Sequence, residues 1–401
     1  VTESSKNHRA NIWKLQGFAF FQMFLIIIPV IVPFWKQEGL TLTQVFQLQG
    51  LFGFCLILFD APAGYVADLF GRKPAMVIGS IIVALGFQVL WVGHSFFDFA
   101  VYECALGLGI SLQSGCDVAI LYATLEKKDE GVPSAVYVGR RLMWQTLGEG
   151  TAALFGGWLA LISLRTVAQA QAITSWLPVV FALWIQEPPG TRLARNSHVQ
   201  NLKMIGRALF GHSRLLTLTI LNFIVYGFAT YCAVWCLQPY WESRGWSVSA
   251  FGYLWAANSF AIAVIASRAN AIEKYLGARK TLIIIALMPI LGYAILPEVG
   301  AIAGLAAILA FPVCRGLSQV FFQDAVNTRV PPEIRATTNS IGSLGTRMLF
   351  LIFGPLLGHV IETGGINRAF ETMALIYIGA GLLLALPLYR ELRKRTLVKS
   401  E

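Results

Sequence analysis

Gly64-Tyr65-Val66-Ala67-Asp68-Leu69-Phe70-Gly71-Arg72-Lys73 decides the reading of this chain. An acid, a glycine and two bases form a short polar hinge between two long apolar runs, 43–68 and 73–93. A weaker copy, Glu273-Lys274-Tyr275-Leu276-Gly277-Ala278-Arg279-Lys280, separates two more apolar runs in the second half of the chain. The apolar run 98–124 carries Asp117 towards its end and the run 300–326 carries Asp324, each followed by a charged loop and another apolar run. Two halves that repeat one plan are a common architecture of secondary transporters.

Outward from that hinge, the chain reads as a series of membrane spans. Of its 401 residues 56% are hydrophobic and only 13% are charged, and mean hydropathy is +0.64. That is about half the charged fraction of a soluble domain, which excludes a water-soluble enzyme or a disordered protein. Apolar runs at roughly 14–35, 43–68, 73–93, 98–124, 134–158, 167–186, 214–238, 248–269, 280–297, 300–326, 337–361 and 370–389 predict twelve transmembrane helices, spans 1 to 12 below. Spans 9 and 10 nearly touch. Residues 187–213 form the longest polar connection and predict a cytoplasmic linker between six-helix bundles 1–186 and 214–401. Within it, Val199 to Phe210 alternates basic and apolar residues, as a surface-lying helix would. The first apolar run has no small-residue cleavage pattern and reads as a retained span. Six cysteines are scattered, several in apolar runs (Cys55, Cys116, Cys314), with neither metal-ligand spacing nor a disulfide framework.

The formal charge of +10 is an address rather than a nucleic-acid signal. With the N-terminus inside, twenty-five of the 31 Lys and Arg fall on the cytoplasmic side. The outer loops hold only Lys36, Arg165, Arg244 and Arg368, while Arg315 and Arg347 lie within spans. This split predicts a multi-pass inner-membrane protein with both termini cytoplasmic.

The hinge closely resembles the loop 2–3 signature of the major facilitator superfamily, and the second copy, the twelve spans and the central linker extend the resemblance over nearly the whole chain. It implies an all-α fold of two pseudo-symmetric six-helix bundles. It also implies a conformational switch carried by Gly64, Asp68, Gly71, Arg72 and Lys73, with Gly277, Arg279 and Lys280 as the second copy and Arg140 and Arg141 nearby. Asp60-Ala61-Pro62-Ala63-Gly64, Ser114 to Tyr122 and Asn327 to Ala336 are similar to a bacterial drug and metabolite efflux subset. Two departures stand out. Glu103 replaces the arginine that proton-driven exporters of the family place four residues before the first glycine of span 4, here Gly107. In span 5, Gly148, Gly150, Gly156 and Gly157 remain, but the usual proline is absent and Glu149 sits among them; a Gly354-Pro355 pair occurs in span 11 instead.

Ionisable residues inside lipid are costly unless they face a cavity or a partner. Asp60 lies about 12 Å and Asp117 about 10 Å from the inner ends of their spans, and Arg141 is as deep. These three, with Arg140, are expected to meet, either as a static ion network or as one that breaks during transport. Glu149 lies near mid-membrane and is a candidate proton carrier or a neutral residue packed against span 2 or 4. Glu103 is shallower and either gates substrate or reaches water. Arg315 and Arg347 fall near the middle of spans 10 and 11 and are cavity candidates; Arg315 either attracts an anionic or zwitterionic substrate or pairs with an acid such as Glu149. The resemblance places spans 1, 4, 7 and 10 around a central cavity. Gln22, Gln113, Asn222, Tyr226, Tyr231, Gln319 and Gln323 are then its candidate lining.

The sequence therefore predicts a secondary transporter, with no nucleotide-binding loop, catalytic cluster, metal or cofactor. The expected partners are a small-molecule substrate, a proton (or sodium) and lipid, and the expected state is a monomer. Proton-coupled efflux is the first reading, and coupled uptake or exchange of a small organic anion or zwitterion the second.

Overall fold

A computed structural model describes residues 3–126, 134–187, 213–329 and 335–398. Most of the expected linker, the 187–213 stretch with its amphipathic segment, lies outside these residues, as does the centre of the Asn327–Ala336 loop. The described residues are mostly helical, with no strand among them. All twelve expected spans fall on helix. Nine stretches among the described residues are long and apolar enough to cross a membrane. The difference has a simple origin: span 1 is broken, span 5 carries Arg140, Arg141 and Glu149, and spans 11 and 12, though parted at Gly365, fall within the single apolar stretch Ile341–Lys394.

Several spans expected as single helices are in fact broken, most of them beside a proline or glycine. Span 1 divides into Glu3–Gln22 and Ile31–Gln37, joined by a short turn at Ile28–Val30. The first piece ends at Gln22, residues 23–27 leave the helical path, and Pro29, which has no N–H to donate, stands in the first turn of the next piece. Span 6 divides into Leu177–Trp184 after Leu164–Thr174, with Pro178 in the first turn of the second piece. Span 4 divides at Ser114–Gly115, where Gly115 has φ +73°, so Asp117 opens a new helix, Cys116–Glu126. Span 10 divides at Leu309, between Ala301–Ile308 and Ala310–Asn327. Spans 11 and 12 lie within Arg335–Ala380 as two helices separated at Gly365, whose backbone is not helical (φ 79°, ψ 167°), and the second continues through a π-helical turn at Gly381–Ala385 into Leu386–Val398.

The internal repeat holds at the level of backbone angles. Gly71 (φ 104°, ψ 153°) joins Leu42–Phe70 to Arg72–Val92, and Gly277 (φ 81°, ψ 153°) joins Ala250–Leu276 to Ala278–Ile295. Both conformations disfavour a side chain, which is why each hinge carries a glycine. A second repeat follows Trp35 and Trp241. In both, a glycine four residues on has positive φ, and the next N–H returns to the tryptophan carbonyl: Leu40 to Trp35 and Trp246 to Trp241, each at 3.0 Å. These are the same Schellman-type helix ends, used once in each half.

Two compact units emerge, one comprising 1–195 with 247–256 and the other 196–246 with 257–401. In the first, span 1 is drawn close to span 5: a Cβ on Gly148 would lie 2.2 Å from the Phe20 carbonyl oxygen, and one on Gly156 2.2 Å from that of Ile26. The second is organised by a column of aromatic rings. Tyr226 stacks on Phe322, Tyr377 lies between Tyr226 and Tyr293, and Tyr293 meets Phe370. The column is anchored where Tyr293 Oη donates to the Ala229 carbonyl at 2.6 Å.

Candidate functional site

In the first unit, the break in span 4 brings Asp117 and Arg141 together. The Arg141 Nε donates to Asp117 Oδ2 in an ion pair whose carboxylate side chain is 4% exposed. Asp117 Oδ1 also accepts from the Val118 N–H at 2.8 Å, at a helix start where a negative charge is favoured. From this pair a chain of amides leads inward. Arg141 Nη1 donates to Gln145 Oε1 (3.2 Å), Gln145 Nε2 to Gln22 Oε1 (3.3 Å) and Gln22 Nε2 to Gln113 Oε1 (2.7 Å). Gln22 and Gln113 line a cavity of about 90 Å³ with Gln171 and Ser175. The same Gln171 holds the break in span 1, where its Oε1 accepts from the N–H groups of Ile26 and Ile27. A discontinuous helix is thus stabilised beside a mostly apolar pocket that carries a few amide and hydroxyl groups, the arrangement that lets a membrane protein expose backbone to a ligand.

Not every residue of the expected N-half cluster joins it. Asp60 is exposed and has no ion-pair partner among the described residues, because the pair closes through span 5 without it. Arg140 points away and lies over the Tyr137 ring at 5.5 Å. Glu103 is 2% exposed, so it does not reach water as one reading had it, and it accepts from Gln49 Nε2 at 2.7 Å. Glu149 is half-buried, and Trp255 Nε1 donates to its Oε1 at 3.3 Å, a partner on span 8 rather than on the expected span 2 or 4.

The loop 2–3 hinge has a partner that sequence reading missed. Glu187 Oε1 and Oε2 accept from the N–H groups of Arg72 (2.9 Å) and Lys73 (3.1 Å), so the end of span 6 caps the start of span 3. Asn11 reinforces this end by donating to Thr124 Oγ1 and the Gln186 carbonyl. Arg72 is buried, Lys73 half-buried and Gly64 exposed; the Asp68 side chain is outside the described set. In the second copy Arg279 is half-buried and Lys280 exposed.

The second unit treats its candidates differently. Asn222 and Tyr226 are 0% exposed and belong to packing: Asn222 Nδ2 donates to the Leu218 and Leu384 carbonyls, and Tyr226 sits in the aromatic column. Tyr231 meets Phe350 edge-on at 4.7 Å. Gln319 is exposed, and Gln323 and Arg347 are half-buried. Arg315 lines a small cavity with Thr230 and Asn258 and has no ion-pair partner among the described residues; the Asn258 Oδ1 there is buried without a hydrogen bond. Among the described residues no cluster could hold a metal ion.

The missed residues share one signal. Gln49, Gln145 and Gln171 are uncharged amides inside apolar spans, and each satisfies a charged or broken-backbone neighbour. Gln145 lies one helical turn from Arg141, a spacing readable in the sequence.

Fold and site together define a multi-pass helical membrane protein built from two repeated units. Residues 15–346 match the Major Facilitator Superfamily, and the chain belongs to it. The chain is 27% identical over 164 residues to the multidrug resistance protein MdtH of Citrobacter koseri, 40% of each chain. Over 165 residues it is 27% identical to that of Salmonella choleraesuis, 41% of this chain and 40% of the relative. The match thus spans less than half the length of these relatives. Among solved structures, the nucleoside transporter NupG superposes with TM-score 0.76 at 15% identity, covering 96% of this chain and 98% of that one. A D-xylose-proton symporter gives 0.69 at 15% (95% and 96%), and an inward-facing, unoccupied bacterial homologue of the lysosomal transporter Spinster 0.70 at 17% (100% and 99%). At these identities the likeness is one of fold.

Proposed function

We propose that the protein is a secondary transporter of the bacterial inner membrane that exports a small amphipathic organic molecule in exchange for protons. It works by alternating access as a monomer, with both termini cytoplasmic and six-helix bundles at 1–186 and 214–401. The observation that carries this reading is the continuous chain Asp117–Arg141–Gln145–Gln22–Gln113. It joins a carboxylate whose protonation would release Arg141 to side chains that line a pocket at a helix break. Protonation of Asp117 then re-sorts the amides that substrate meets, which couples the two. The names of the MdtH relatives support export. Glu149 and Glu103 are secondary proton sites.

A second reading, coupled uptake or exchange of a small organic anion, is favoured by Arg315, whose guanidinium meets no acid among the described residues and lies beside the unpartnered Asn258 Oδ1. Transport in proteoliposomes under an imposed pH gradient, across cationic, neutral and anionic compounds, tests both. Export is expected to follow the gradient, to stop with a protonophore and to fail in Asp117→Asn. Substrate movement indifferent to both pH and sodium gradients overturns coupled transport. Loss of anion movement alone in Arg315→Gln selects the second reading.

A further inference from the structure

A groove of about 360 Å³ runs between span 9 and span 12 in the second unit, lined by Leu282, Ala286 and Ile290 on one side and Gly381, Ala385 and Tyr389 on the other. Its walls are almost wholly apolar, and from Leu282 to Ile290 it extends about 12 Å, less than half the hydrocarbon thickness of a bilayer. The π-helical turn Gly381–Ala385 forms one wall. From the protein side Asn222 Nδ2 donates to the Leu384 carbonyl at 3.1 Å and holds this turn. On the groove side Gly381 leaves space, since a Cβ there would meet only Ile290 Cδ1, at 4.0 Å.

At one end both helical faces turn basic. Arg279 lies three residues before Leu282 and seven before Ala286, on the same face; Arg393 follows Tyr389 by four residues and Arg390 follows Leu386 by four. Arg390 and Arg393 are exposed. The nearby acid, Glu391, is engaged elsewhere, with Lys394 at 3.2 Å and Arg214 at 4.0 Å. An apolar groove in a membrane is filled by whatever lipid is at hand, so the groove alone selects nothing; three arginines at its mouth select a negative headgroup.

We propose that this groove binds an anionic diacyl phospholipid of the adjacent leaflet, with an acyl chain between spans 9 and 12 and the phosphate on Arg279, Arg390 and Arg393. The test is native mass spectrometry of the delipidated full chain, titrated with phosphatidylglycerol or phosphatidylethanolamine of identical acyl chains. The wild type is expected to favour phosphatidylglycerol about tenfold. The triple variant Arg279→Gln, Arg390→Gln, Arg393→Gln should lose the preference. Gly381→Phe, which fills the groove and keeps the charges, should weaken phosphatidylglycerol binding about fivefold, while Gly381→Ala leaves it intact. If Gly381→Phe does not fold, Ile283→Trp on the exposed rim of span 9 makes the same steric test. Equal affinity for the two lipids in the wild type, a preference retained by the triple variant, or full binding by the groove-filled variant would each overturn the proposal.

Discussion

The two units descend from one plan and spend their polar residues in opposite ways. In the first, several polar side chains are satisfied by a specific partner: Asp117 by Arg141, Glu103 by Gln49, Gln22 by Gln113, Glu187 by two backbone N–H groups. In the second, the centre is held by stacked rings, and polar atoms are left over. Asn222 Oδ1, Tyr226 Oη and Asn258 Oδ1 are buried without a partner, and Arg315 has no acid among the described residues. Leaving a buried polar group unsatisfied costs about 1–3 kcal/mol, so the second unit carries the larger cost of the two.

The sharpest way to break that contrast is to remove one member of a pair. Arg141→Ala leaves the Asp117 carboxylate buried and alone, and is expected to destabilise the protein by about 3–5 kcal/mol. Thermal unfolding in detergent, followed by size-exclusion fluorescence, reads this directly. The double variant Asp117→Asn with Arg141→Gln should recover most of the loss. Arg315→Gln, by contrast, breaks no ion pair and should fall within about 0.5 kcal/mol of the wild type. A large loss at Arg315 would show that the second unit is paired too.

Next in size are the glycines on which the first unit's helix contacts depend. Gly148→Ala or Gly156→Ala puts a Cβ 2.2 Å from a carbonyl oxygen of span 1 and should cost about 1–3 kcal/mol, with transport impaired because the broken segment must shift. Gly150, in the same span, has nothing within 4 Å, and Gly150→Ala should be neutral or stabilising by up to about 1 kcal/mol. Equal losses at Gly148 and Gly150 would remove the packing argument.

The hinges test the repeat itself. Alanine at Gly71 or Gly277 must adopt a φ that L residues avoid, at about 1–3 kcal/mol each. Gly71→Ala should be the worse, because its Cβ would also lie 3.1 Å from Glu187 Oε2, whereas nothing lies within 4 Å of Gly277. Melting temperatures of the two single variants decide it.

Apolar length and charge placement made the spans legible, and the hinge and its copy made the repeat legible before any coordinates. The Asp117–Arg141 pair was legible too, since two opposite charges at similar depth in lipid have few other choices. The breaks in spans 1, 4 and 6 were not, because a hydropathy window averages over one proline or glycine. Nor was the fate of Asn222 and Tyr226. A polar residue in a span faces either a cavity or a neighbouring backbone, and only packing distinguishes them; here a π-turn in span 12 offered Asn222 a carbonyl. The Trp35 and Trp241 helix ends stand in the sequence as a tryptophan followed four residues later by a glycine, a repeat too short to notice without the matched hydrogen bonds.

Glu187 carries the smallest expected loss among the contacts to be broken, and the most pointed comparison. Its place beside Pro188-Pro189-Gly190 marks it as the start of a linker, yet its two oxygens hold the first N–H groups of span 3. A carboxylate there satisfies two donors that the helix itself cannot and meets the positive end of the helix dipole. Glu187→Gln retains the size but offers one oxygen and an NH2 group, so one N–H loses its acceptor and the charge term vanishes. The loss should be about 1 kcal/mol, with faster amide exchange at Arg72 and Lys73 than in the wild type. No carboxylate plays this part for Arg279 and Lys280 among the described residues, so span 9 should already exchange quickly at its first turn. If the two hinges exchange alike in the wild type, the cap is incidental. If Gly71's loop alone is slow and Glu187→Gln brings it to the rate of Gly277's, span 6 is what makes the first hinge the stiffer of the two.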